Sequence, residues 1–153
     1  MKILLALLLA WSGLAGASDG VRLAAEGGWI RAAPPGARAM AGYITLRNEA
    51  AQPLRLVEAS SAAFEAVGIH ESYEEDGMAR MRAGPALEVP AGGSVALAPG
   101  GLHLMLLRPI RPVAEGSTII VDLVTASGDP LPVVLTVRRA ADAAPDPHAG
   151  HHH

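Results

Sequence analysis

The sequence predicts an all-β protein, an antiparallel sandwich or barrel of about eight to ten short strands. Three observations carry that prediction. Twelve prolines and seventeen glycines break the 153 residues into short runs. Several of those runs alternate apolar and polar residues with a period of two, and none supports a confident helix of three turns.

Val21 to Ala32, with a Gly-Gly interruption before Trp29-Ile30-Arg31, reads as a first strand, and Pro34-Pro35-Gly36 enforces a turn after it. Met40 to Asn48 follows, with Tyr43, Thr45 and Arg47 on one face and Ile44 and Leu46 on the other. Leu54 to Ala59 is a short strand; Ser60 to Ala66 reads as one helical turn or a loop. Val67 to Tyr73 is extended, Glu74-Glu75-Asp76-Gly77 is an acidic hairpin turn, and Met78 to Met81 is the return strand. Prolines and glycines bracket Leu87 to Val89 and Ser94 to Ala98. Leu102 to Arg108 puts His103 and Met105 on one face and Leu102, Leu104 and Leu106 on the other. Thr118 to Ala126 and Leu131 to Arg138 form a last pair.

Half of the residues are hydrophobic but only 3% are aromatic, so the core has to be built from Val, Leu, Ile and Ala. A net charge of −3, with Lys2 the single lysine, leaves no basic stripe for nucleic acid. The chain opens on Met1-Lys2, an apolar run from Ile3 to Trp11 and small residues at Ala15 and Ala17, the pattern of a secretory signal. Cleavage after Ala17 divides the chain into a leader (1–17), one domain (18–139) and a His-containing tail (140–153). The apolar run is too short to predict a membrane span. With no cysteine, there is no disulfide to form and no acceptor for a lipid of the bacterial lipoprotein kind.

The domain holds two histidines, and both stand near methionines. Ten residues separate His70 from Met81, twenty-one separate Met81 from His103, and one separates His103 from Met105. Imidazoles and thioethers without any thiolate suit a soft monovalent metal, above all Cu(I). A strand places i and i+2 on one face, so His103 and Met105 can address one ion; a hairpin could bring His70 and Met81 to it. Met78 would be a spare thioether or a packing residue. A methionine on a strand is more often core, and a histidine more often hydrogen-bonded than metal-bound, so these residues alone leave packing and metal binding both open. His148, His151, His152 and His153 on the tail form a separate imidazole-rich set that could take Cu(II).

The interval His, ten residues, Met, twenty-one residues, His-x-Met resembles the hallmark of the periplasmic CuA copper chaperones (PCuAC). The resemblance continues through Trp29-Ile30-Arg31, Gly42-Tyr43, Leu46-Arg47-Asn48, Pro90-Ala91-Gly92-Gly93 and Leu97 to Met105, and covers roughly residues 26 to 138. One departure is Glu71, where many members carry Met directly after the first His. The resemblance implies a cupredoxin-like Greek-key β-barrel in the periplasm that binds one Cu(I) through His70, Met81, His103 and Met105. It also implies delivery to the CuA domain of cytochrome c oxidase subunit II, alongside a Sco-type thiol protein. Electron-transfer cupredoxins need a His₂Cys site, which a chain without cysteine cannot build.

Two other readings compete: copper storage or resistance, and a β-sandwich binding module without metal. Catalysis is disfavoured, because neither a Gly-x-Ser-x-Gly elbow nor a His-Glu-x-x-His helix is present and the acidic cluster from Glu71 to Asp76 reads as a solvated turn.

Overall fold

Residues 22–84 and 86–139 are described by a computed structural model of the chain. The leader and the histidines of the tail lie outside the described residues. Ten strands follow one another: β1 (Leu23–Arg31), β2 (Ala39–Asn48), β3 (Leu54–Ser60), β4 (Phe64–Glu75), β5 (Met78–Ala83), β6 (Leu87–Val89), β7 (Ser94–Leu97), β8 (Leu102–Pro109), β9 (Thr118–Thr125) and β10 (Pro130–Arg138). No helix of the described residues is long and apolar enough to cross a membrane.

The strands run β4-β8-β2-β1-β10-β9-β3, and the Ala59↔Val67 pairing of β3 with β4 closes them into a barrel. Neighbours distant in sequence, β8 beside β2 and β10 beside β1, show that the chain crosses over the barrel instead of meandering. The fold is all-β and cupredoxin-like, as expected. Pairing is antiparallel except between β1 and β10, where Trp29↔Thr136 to Arg31↔Arg138 run parallel. That exception seals the barrel by joining the first and last strands. β6 and β7 are short additions to β3 and β2. β5 is a hairpin arm, paired with β4.

Alternation explains the interior. Met40, Ile44 and Leu46 of β2, Leu104 and Leu106 of β8, and Leu135 and Val137 of β10 are buried in one aliphatic cluster. Burying each such Leu or Ile contributes about 1.5–3 kcal/mol, and with no disulfide this aliphatic core carries the stability. On the outer side, Tyr43 packs against Trp29 at 4.7 Å between ring centroids, and Arg138 lies over the Trp29 ring.

The structure corrects one local expectation. Ser61 to Ala63 do turn, but β4 begins at Phe64, whose ring is 3% exposed. Burial of that single Phe draws the backbone into the wall, a gain that local propensity does not register. The Gly-Gly interruption is a β-bulge, with the register shifting between Glu26 and Trp29 and Gly27 at φ +63°.

Candidate metal site

The wall formed by β5, β4, β8 and β2 brings the two halves of the motif together. Asp76 and Gly77 both take positive φ, 54° and 73°, as a two-residue type I′ hairpin loop requires, so the turn fixes the β4–β5 register. That register sets Ser72 opposite Met81 and His70 opposite Ala83. Across the other edge of β4, His70 stands opposite His103 and Gly68 opposite Met105. Because directly paired residues share a face, and so do i and i+2, His70, Met81, His103 and Met105 all project from the same outer face.

Their spacing follows from the ladder. The amide of Ser72 donates to the Gly101 carbonyl at 3.1 Å, which makes His70↔His103 and Gly68↔Met105 hydrogen-bonded pairs with Cα atoms ~5.5 Å apart. The two imidazole centroids are 6.2 Å apart and tilted by 43°. Met81 and Met105 are each diagonal to His70, at the ~7–8 Å typical of such neighbours and within reach of a long thioether side chain.

Exposure is graded across the set. Met81 is 51% exposed, His70 and Met105 are half-buried, and His103 is 3% exposed. The His103 ring is fixed from below: Nδ1 lies 3.0 Å from the Gly101 carbonyl oxygen. A carbonyl can only accept, so Nδ1 carries the hydrogen and Nε2 of the neutral ring keeps its lone pair. That Nε2 is buried without a hydrogen-bond partner. A buried, unsatisfied acceptor costs about 1–3 kcal/mol, and an imidazole held by one nitrogen with the other free is how metal-binding histidines are commonly oriented. Burial, and after it the nearby His103, pushes the His70 imidazole below its ordinary value and so favours the neutral, ligating ring.

One residue that the sequence reading passed over belongs to the site. Gly68 sits across from Met105 and two residues before His70, and a Cβ there would lie 3.4 Å from His70 Nε2. A glycine inside a strand often marks a close approach, and that was the available signal. Met78 is placed apart from the others. It pairs with Glu75, on the face that carries Glu71, Tyr73, Arg80 and Arg82. There Glu71 accepts from Arg82 and Glu75 pairs with Arg80, whereas Glu74, opposite Ala79, stands on the His/Met face. Among the described residues, no group of three or more His, Asp or Glu side chains is placed to hold an ion. The donors that this face adds to the two imidazoles are the thioethers of Met81 and Met105.

A barrel of this topology with imidazoles and thioethers on one wall defines a class, the cupredoxin-like domains. Within it the chain belongs to the LpqE-like family, described as "Putative lipoprotein LpqE-like", whose model matches residues 23–137. A relative, "Putative lipoprotein Lxx21020" of Leifsonia xyli subsp. xyli, is 32% identical over 122 residues, spanning 79% of this chain and 71% of its own. Among solved structures, the Cu(I) form of DR1885 from Deinococcus radiodurans is 34% identical, with a TM-score of 0.60, covering 82% of this chain and 84% of that one. The apo form of the same protein is 28% identical with a TM-score of 0.60, covering 94% of this chain and 99% of that one. The copper-bound PCuAC domain from PmoF2, at 24% identity and a TM-score of 0.62 over 76% of this chain and 92% of that one, shares the fold.

Proposed function

We propose that this protein is an exported copper carrier that binds one Cu(I) through His70, Met81, His103 and Met105 and passes it to a copper enzyme under assembly. The observation that carries the reading is the common face: four residues spread over 36 positions of sequence converge on one wall, around a buried, unpartnered imidazole nitrogen. Two imidazoles and two thioethers give a neutral, soft set that suits Cu(I), in keeping with the copper forms of DR1885 and PmoF2. The graded exposure suits a carrier: an outer thioether can be displaced first while the buried imidazole still holds the ion.

The recipient we infer is the CuA domain of cytochrome c oxidase subunit II, with a Sco-type thiol protein as companion. We place the work in the periplasm. The family description of a lipoprotein supports export, and the signal pattern at 1–17 is in keeping with it. We read the set as holding and passing an ion, not as turning over a substrate.

The test is Cu(I) retention under reducing conditions against a chromophoric chelator, comparing wild type with Met81→Ala and His103→Ala. The reading expects one equivalent held by wild type and weaker retention in both variants. Equal retention by all three would return these residues to simple packing.

A further inference from the structure

The structure points to the surface through which the ion leaves. Among the described residues, β5 pairs with β4 alone and ends the strand order, and all six of its residues are exposed. Its free edge can be read from one hydrogen bond. The amide of Gly84 donates to the Ile69 carbonyl at 2.8 Å, so Arg82, Arg80 and Met78 turn their backbone groups toward β4. Alternation then leaves the N–H and C=O of Ala79, Met81 and Ala83 directed outward. The middle residue of an open, regular edge is thus one of the four proposed copper ligands, and its neighbours on the metal face are two alanines, which leave a second strand room.

Charge selects what can add there. On the other face of β5 stand Arg80 and Arg82, each bonded to a glutamate of β4 with further guanidinium N–H groups to spare. A second copy pairing about a two-fold axis at Met81 would set Arg80 against Arg82 of its partner, a like-charge pair that disfavours self-association. An antiparallel strand with acidic side chains at the two flanking positions meets both arginines instead.

We propose that the protein exchanging the ion adds an extended strand to β5, with a soft ligand opposite Met81 and acidic residues opposite Arg80 and Arg82. The proposal rests on the copper-site reading above and names how that site is reached. The exchange is a ligand substitution: the partner's thioether, thiolate or imidazole bonds to Cu(I) as the Met81 thioether leaves, and no electron moves. Main-chain hydrogen bonds supply the docking and the side-chain pattern the selectivity, as in other strand additions.

The probe is a short synthetic strand peptide with a central methionine flanked by glutamates, set against the same peptide with lysines. Added to the full metal-free protein, the glutamate peptide is expected to shift the amide resonances of Ala79, Met81 and Ala83. With Cu(I)-loaded protein, Ala79→Pro is expected to slow transfer to that peptide about tenfold while retaining Cu(I) against a chelator as wild type does, because the lost N–H makes no bond to β4. Arg80→Glu combined with Arg82→Glu is expected to invert the preference toward the lysine peptide. Shifts centred elsewhere, equal transfer to both peptides, or Ala79→Pro transferring as fast as wild type would overturn the proposal. Failure of wild type to retain Cu(I) would sink the site reading instead, while the amide shifts of the metal-free protein still judge the edge.

Discussion

Gly68→Val separates a metal site from ordinary packing, because it is expected to move stability and copper affinity in opposite directions. Gly68 has no left-handed backbone to protect, and a glycine inside a strand costs about 0.5–1 kcal/mol relative to alanine, so a β-branched residue there should leave the metal-free barrel as stable or more so. The built Cβ lies 3.4 Å from His70 Nε2 and 3.5 Å from His70 Cδ2, already at van der Waals contact. A metal–imidazole bond is only ~2.0–2.1 Å long, judging from zinc sites. The valine methyls therefore occupy the room an ion needs between His70 and Met105. Disturbing a group that positions a ligand typically costs about 10–100-fold in affinity, or roughly 1.4–2.7 kcal/mol. Thermal unfolding of the metal-free protein and Cu(I) competition with a chelator read the two effects separately. A folded Gly68→Val protein that holds Cu(I) as tightly as wild type would show that the ion does not sit over Gly68.

Three further outcomes are expected. Because burial lowers the His70 value, the unfolded chain takes up the proton first as pH falls; metal-free stability should be flat above the ordinary histidine range near 6.5 and decline below it, and His70→Gln should flatten the decline in pH-dependent melts. Gly28→Ala would push a Cβ to 2.5 Å from the Val134 carbonyl oxygen at the parallel seam, so unfolding should show a loss of about 1–3 kcal/mol, and an unchanged melting temperature would refute the close approach. Removing residues 146–153 should lower the Cu(II) stoichiometry in a titration without touching Cu(I) retention, since imidazoles suit Cu(II) and the thioether set does not include the tail; unchanged Cu(II) stoichiometry would dispose of the accessory site.

How far the sequence carried the fold and the site depends on which interactions are local. Alternation along Met40 to Asn48 and Leu102 to Arg108 assigned faces correctly, because a period of two is a property of each strand by itself. The Asp76-Gly77 turn was equally legible, since positive φ at two adjacent positions calls for residues of that kind. Barrel closure was not: the parallel β1–β10 seam joins the first and last strands of the domain, and no local pattern marks the partner. The same division runs through the candidate site. The His and Met spacing could be counted, and it ranked Met78 behind Met81 as a spare thioether or a packing residue, but it could not put the two side chains on different faces. Only the β4–β5 register separates them, putting Met81 beside Ser72 on the face of His70 and Met78 across from Glu75 on the other. Sequence distance ranks neighbours along a chain, whereas an ion counts neighbours across strands. Gly68 offers no donor atom to count along the chain, and only the folded register shows its Cα next to the His70 ring, where a Cβ would lie 3.4 Å from Nε2.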